Sequence, residues 1–281
     1  MSLNSSYLDA FYACARLGHF TKAAAALHIT QSALSQRIKN LEEELGNTLI
    51  IRDRAGLRLT EQGHELLRYC QSKAAVEEQV LSRVQGRSTK GYNGTLRIGA
   101  FSSIASSVVL PALANLLETN PGLRLQLIVR ELYELRPLLK SGQIDFMIID
   151  EELQQESIRT RVLGFENYVL IQKRGYKGPD IYLDHDEEDS ITIKYLKQKT
   201  ASKLQRHYLD DISGIIEGVH LGLGRAVVPQ HLTIGMRSIE ILEPKKMLSV
   251  PVVLHFYEQS FYSPLQQAVM ETLVEKCAGL L

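Results

Sequence analysis

Residues 30–46 read TQSALSQRIKNLEEELG, and the fold turns on them. Leu34, Ile38, Leu41 and Leu45 recur at helical spacing and form one apolar stripe. Ser32, Gln36 and Lys39 fall on the opposite face, with Ser35 beside them. These polar groups are of the kind that hydrogen-bond base edges and phosphates. Thr30 stands just before the periodic run, where a hydroxyl caps a helix. The free N–H groups and dipole of a helix start also favour a phosphate. An ordinary amphipathic surface helix would carry the same stripe, so the neighbouring segments decide between the two readings.

Upstream, Leu8, Phe11, Tyr12 and Ala15 give a first amphipathic helix over 6–17, stopped by Gly18. Thr21 is placed to cap a short Ala-rich helix from Lys22 to Leu27, and alanines 23–26 allow close helix approach. A turn at His28-Ile29 joins it to the 30–46 helix, which is the helix-turn-helix arrangement. Downstream, β-forming residues 48–52 and 57–59 flank a Gly-containing turn and predict a small hairpin. Arg52, Arg54 and Arg58 make it a basic wing, suited to a phosphate backbone or minor groove.

Thr60 is placed to cap a long helix to about Gln85. Leu67, Cys70, Ala74, Leu81 and Val84 follow a 3-4 spacing, interrupted at Glu77, that suits a dimerisation seam. GRSTKGYNG at 86–94 is a polar linker with three glycines, and a domain boundary belongs there. From Thr95 strands and helices alternate: strands at 95–100, 123–130 and 145–149, helices at 108–118 and 131–141. That alternation argues a doubly wound α/β domain. Further strands are expected from Tyr168, at 226–228 and at 252–257, with helices at 214–221, capped by Ser213, and 263–276. Two lobes joined by two crossings leave a cleft, a common ligand site.

Composition supports a soluble globular chain of 281 residues, 44% hydrophobic and 23% charged. The net charge of zero hides an asymmetry: residues 1–92 carry 12 Lys/Arg against 9 Asp/Glu, and the remainder 20 against 23. The mild positive bias lies in the part expected to meet an anion. Cys14, Cys70 and Cys277 are widely spaced and odd in number, which fits a reducing, cytoplasmic setting. No apolar run has membrane-spanning length, and the N-terminus does not read as a secretion signal.

Residues 8–63 resemble the LysR-type transcriptional regulators. The resemblance rests on Phe20-Thr21, Ala23-Ala24 and Leu27, then Gln31-Ser32-Ala33, Ser35 and Ile38. Leu41-Glu42, Leu45-Gly46, Leu49, Arg52, Leu59-Thr60 and Gly63 extend it. Gly94 to Gly99, Leu110-Pro111, Pro121, Gly142 to Asp145, Gly222-Leu-Gly224 and Pro229 are similar to the effector domain of that family. His19 and Ile50-Ile51 depart from the usual Ser and Phe, and the second lobe is short. The resemblance implies an N-terminal winged helix-turn-helix (mainly α) over 1–60 and a linker and dimerisation helix over 61–86. A hinge over 87–94 and a two-lobed α/β, periplasmic-binding-protein-like effector domain over 95–281 follow. Lobe I is placed at about 95–164 and 245–281, and lobe II at about 165–244. The resemblance also implies a homodimer or homotetramer on double-stranded promoter DNA, with a small organic effector, no cofactor and no membrane.

For DNA binding the candidates are Gln31, Ser32, Ser35, Gln36, Arg37 and Lys39 from the helix, with Arg54 and Arg58 from the wing. For the effector they are Ser102 and Ser103 after the first strand, Asp150 at the first crossing, and Thr192 in the second lobe. Gly222-Leu-Gly224 follows a helix and precedes a strand, the wrong order for a dinucleotide fingerprint. No GxSxG surrounds Ser102 and Ser103, and the histidines show no HExxH or clustered Cys/His spacing. The acidic run 184–189 (DHDEED) lacks the glycine and final spacing of a calcium loop and reads as a solvated loop. A transcription regulator, not an enzyme, is therefore expected. The alternative is a small-molecule binding or transport protein with an appended helical domain.

Overall fold

A computed structural model describes residues 3–53, 56–84, 91–197, 204–259 and 262–281. The chain divides into two compact units, one formed chiefly by residues up to Gly94 and one chiefly by residues from Thr95 on.

The first unit contains α1 (Ser5–Leu17), α2 (Phe20–Ala26), α3 (Gln31–Leu45), the antiparallel hairpin β1 (Ile50–Asp53) and β2 (Gly56–Leu59), and α4 (Glu61–Val84). Local chemistry sets the helix ends. Asn4 accepts the Ser6 N–H and Thr30 the Ala33 N–H, while Gly18 and Gly46 close α1 and α3 in the left-handed conformation. α2 starts two residues earlier than the Thr21 cap implied, at Phe20; Thr21 instead donates from its hydroxyl to Gln31 at 3.5 Å. Phe11, Leu34, Leu41 and Leu49 are fully buried, and Ala23 and Ala24 let α2 pack without a side chain in the way. Gly63 is required by close approach: a Cβ there would lie 2.2 Å from the Leu49 carbonyl oxygen. Thr60 donates to the Thr48 carbonyl at 2.7 Å and accepts the Gly63 N–H at 3.0 Å, which ties α4 to the hairpin.

The expected dimer seam on α4 needs correction. Leu67 and Cys70 are buried in the first unit's own core, 3% and 4% exposed, so the first half of the 3-4 stripe is already used. Ala74 is half-buried, and the exposed aliphatic residues of the helix's last turns are Val80, Leu81 and Val84.

The second unit begins with β3 (Gly94–Ala100) and α5 (Ser102–Ile104). α5 passes through a π-turn (Ala105–Val109) into α6 (Leu110–Thr119). β4 (Leu123–Val129), α7 (Leu132–Lys140) and β5 (Phe146–Ile149) follow. Pro137 sits inside α7 without ending it. The long strand β6 (Ile158–Lys173) then leads to β7 (Ile181–Asp184), α8 (Ile191–Leu196), β8 (Gln205–Tyr208) and α9 (Ile212–Leu221). β9 (Ala226–Pro229), β10 (Ile239–Leu242), β11 (Leu248–Tyr257) and α10 (Pro264–Lys276) complete it.

The strand order β10-β6-β11-β5-β3-β4 explains the two lobes. β3 and β5 pair in parallel, and β5 pairs β11. β6 lies antiparallel to β11 from Ile158 to Tyr168, then between β9 and β10 from Tyr168 to Lys173. Tyr168 is thus the hand-over residue, opposite both Leu248 and Pro229. β7 and β8 form a parallel pair that joins β9 through Arg225. α9 is capped by Asp211, which accepts from Ser213 and Gly214, and not by Ser213. Gly222 ends α9 in the left-handed region, and a Cβ on Gly224 would lie 2.7 Å from the Ile181 carbonyl oxygen. The Gly222-Leu-Gly224 motif is therefore a packing device.

Candidate DNA-reading face and ligand cleft

On α3 the structure brings most of the expected polar residues to one surface. Gln31, Ser32, Gln36 and Lys39 are exposed, and Ser35 and Arg37 are half-buried. Their hydrogen bonds are local. Gln36 donates to Asn40 at 2.7 Å, Asn40 donates to the Tyr7 hydroxyl at 3.1 Å, and Thr30 and Ser32 share a 3.0 Å contact. Two of the three glutamates that follow are engaged by neighbouring groups. Glu42 accepts the Leu49 and Ile50 N–H groups at 2.7 and 3.1 Å, which fixes the entry to β1. Glu43 pairs with Lys39 at 3.5 Å, an exposed i,i+4 pair that holds the ammonium weakly.

Arg52 is not a free wing cation. Its guanidinium lies 3.6 Å over the Phe20 ring and donates to Ser35 Oγ at 3.3 Å. It joins the hairpin to α2 and α3, a role its place in a basic run did not suggest. Arg58 is exposed on β2. Arg54, and the linker over 85–90, lie outside the described residues.

The cleft is a cavity of about 330 Å³. Its walls follow the ends of strands: Phe101, Ser102 and Ser103 after β3, Glu131 after β4, Asp150 after β5, and His185, Asp186 and residues 188–191 after β7. That is the usual ligand position in an α/β sheet. Ser102, Ser103 and Asp150 are among the residues that line it. Ser103 turns its hydroxyl inward, donating to Glu166 at 2.9 Å. Thr192 is a correction: it is 1% exposed, donates to Asp184 at 2.5 Å and does not line the cavity, whereas its neighbours Ile191 and Lys194 do.

Beneath the cavity, at the hand-over from one lobe to the other, sits a buried polar network. Glu166 is fully buried and accepts from Ser103 and from the Tyr168 hydroxyl at 2.8 Å. Burial pushes its carboxyl up to about 7, although both hydrogen bonds oppose the shift. The Tyr168 hydroxyl is raised further above its ordinary range by burial and by that carboxylate. Ser107, which donates to the Ser103 carbonyl, lies 3.0 Å from His231 Nε2 and leaves that nitrogen as the donor. His231 is lowered by burial, so its ring is neutral.

Sequence reasoning missed the largest contribution to the cleft. The acidic run is clamped by Arg206 of β8. This guanidinium donates from Nε to Asp184 and from a terminal nitrogen to the Asp186 and Asp189 carbonyls at 3.1 and 2.8 Å. Asp186, Glu188 and Asp189 line the cavity, and His185 reaches Glu131 of the other lobe at 3.1 Å. The available signal was position: the run begins at the end of an apolar strand. Asp150 is raised by burial, with Glu151 and Asp189 adding repulsion.

A DNA-reading helix with its wing, followed by a two-lobed ligand domain, defines a ligand-responsive DNA-binding regulator. The family description "bacterial regulatory helix-turn-helix protein, LysR family" matches residues 6–64, and "LysR substrate binding domain" matches residues 89–278. The HTH-type transcriptional regulator YoaU of Bacillus subtilis is 31% identical over 268 residues, 91% of this chain and 83% of that relative. The probable regulator LrrA of Synechococcus elongatus is 27% identical over 81% of both chains. Among solved structures, ArgP from Mycobacterium tuberculosis superposes with TM-score 0.79 at 22% identity, over 99% of this chain and 98% of that one. LysG from Corynebacterium glutamicum, solved with bound effector Arg, gives 0.78 at 18% over 97% of each. The chain belongs to the LysR family of DNA-binding transcriptional regulators, with a helix-turn-helix and an effector-binding domain. No helix among the described residues is long and apolar enough to cross a membrane.

Proposed function

We propose that α3 enters the major groove with Gln31, Ser32, Ser35 and Gln36 towards base edges. Lys39, Arg37 and, from the wing, Arg54 and Arg58 contact phosphates. The supporting observation is the electrostatics of α3. Its first turns offer exposed uncharged or basic groups, while Glu42 and Glu43 are held by the Leu49 N–H and by Lys39.

The effector site is the cleft, with Ser102, Ser103 and Asp150 in its wall. Residues 1–60 form the reader, 61–86 the dimerising helix, 87–94 the hinge and 95–281 the sensor. Dimerisation uses Val80, Leu81 and Val84, the exposed aliphatic residues of the last turns of α4, and two dimers form a tetramer. The protein acts in the cytoplasm and is not an enzyme. Its cysteines do not suit a thiol sensor: all three are buried, and burial pushes them up to about 11 for Cys14 and about 12 for Cys70 and Cys277.

The test is a salt-titrated binding assay of the full chain on DNA upstream of its own coding region. Log affinity falls linearly with log salt, and Lys39→Ala weakens all sequences alike and lowers the slope by about 1. Gln36→Ala changes which base is preferred. Equal loss by Gln36→Ala on every sequence removes it from base reading, and an absence of salt-dependent binding to any DNA overturns the proposal.

A further inference from the structure

We infer that the cleft selects a small organic cation, an amine or guanidinium on an aliphatic stem, and that Asp186, Glu188 and Asp189 of the loop after β7 are its charge-selecting wall. This rests on the reading of the cleft as the effector site.

Five carboxylates line the cavity, and they come from both lobes: Glu131 and Asp150 from one, Asp186, Glu188 and Asp189 from the other. Lys194 is the lysine among the lining residues, and His185 is already engaged with Glu131. The clamp shows that the acidic wall is built into the fold. The Arg206 side chain is 3% exposed, its charge is matched by the equally buried Asp184, and its other donors hold loop carbonyls. The loop backbone is thereby fixed, while the charges of Asp186, Glu188 and Asp189 remain uncompensated by Arg206.

Across the cleft Asp150 of one lobe is repelled by Asp189 of the other, beside a larger attraction from Lys194. A cation between them removes that repulsion, whereas an anion adds to it. A metal ion fits less well, because among the described residues no three His, Cys, Asp or Glu groups gather closely enough to ligate one. The carboxylates are spread around about 330 Å³, with Leu132, Leu135, Ile149, Ile191, Ile215 and Val227 between them. Apolar walls with dispersed negative groups match an alkyl stem ending in a cationic head.

The experiment uses the full chain and three probe sets, read by thermal shift and then by calorimetric titration. Cations are lysine, arginine and putrescine; neutral isosteres are norleucine and citrulline; anions are glutarate and benzoate. At least one cation raises the Tm, and its neutral isostere, where the set includes one, does not. Asp150→Asn and Glu188→Gln each weaken that cation's Kd about tenfold, and Asp150→Lys abolishes binding. Glu187→Gln, in the same loop but outside the cavity wall, leaves the Kd unchanged.

Binding of glutarate or benzoate that Asp150→Lys preserves or strengthens, with no cation response, overturns the charge class while keeping the cleft as the effector site. Cation binding unmoved by Asp150→Lys overturns the cleft reading itself. A full response to magnesium, calcium or zinc alone overturns the organic class, and so does the failure of every probe.

Discussion

The reading face and the cleft solve opposite electrostatic problems. On α3, polar groups stand at the surface, one helix supplies nearly all of them, and Gln36 and Lys39 are each held by a residue one turn on, Asn40 and Glu43. In the cleft, polar groups come from strand ends spread between Phe101 and Pro229, and some are held by partners far away in sequence, Ser103 by the buried Glu166 and His185 by Glu131. A face that must exchange water and counterions for DNA keeps its charges loosely held. A pocket that must discriminate one small molecule has to fix its charges beforehand, and fixing them in the interior carries a large folding cost.

The largest test of that contrast is Arg206→Ala. Arg206 and Asp184 are 3% and 2% exposed, and removal of one partner leaves an unpaired buried carboxylate and frees the loop carbonyls. A loss of about 3–5 kcal/mol is expected in urea denaturation of the second unit. A loss below about 1 kcal/mol would mean that the loop is not held in advance, and the contrast with α3 would fail.

The same contrast governs what the sequence discloses. The recognition helix was readable because helical periodicity, a capping Thr30, a closing Gly46 and a neighbouring Ala-rich helix lie within one short stretch. The alternation of strands and helices in the first part of the sensor was readable for the same local reason, whereas β7, α8, β8 and β10 were not. The cleft wall was not. Nothing near 184–189 marks Arg206 as its clamp, because the pairing depends on β7 and β8 lying side by side. Thr192 looked like a ligand group for want of the knowledge that Asp184 had taken its hydroxyl. Leu67 and Cys70 fitted a dimer seam because spacing reports a stripe and not what covers it.

A second test concerns Glu166, which the pocket floor holds in an environment no residue of the reading face experiences. Its carboxyl titrates near 4.5 when solvated and at about 7 when folded. The folded state therefore binds the proton more tightly. Stability from this group is complete below pH 4.5 and is lost as pH rises to about 7, by up to about 3 kcal/mol. Glu166→Gln cannot titrate, so wild-type stability measured against it should fall across that window and level off above it. A difference that stays flat from pH 4.5 to 8 would show that the floor is hydrated and the carboxyl unshifted.

The smallest effect is the sharpest for the reading face, since it asks whether one arginine there behaves as cleft groups do. Arg52 stacks on Phe20 and bonds Ser35, so it is committed to structure although it lies in the basic run beside the reading helix. Its stack on Phe20 and its hydrogen bond to Ser35 together stabilise the first unit by about 1 kcal/mol. Arg52→Ala should lower stability by that amount and weaken DNA binding through the displaced hairpin, with the salt slope unchanged. Arg52→Lys should not restore it, because an ammonium cannot lie flat on the ring while donating to Ser35. If Arg52 instead bonds a phosphate, Arg52→Ala lowers the slope by about 1 and Arg52→Lys restores most of it. Stability and salt dependence measured on the same two variants separate these outcomes, because a structural arginine moves the first quantity and a phosphate contact the second.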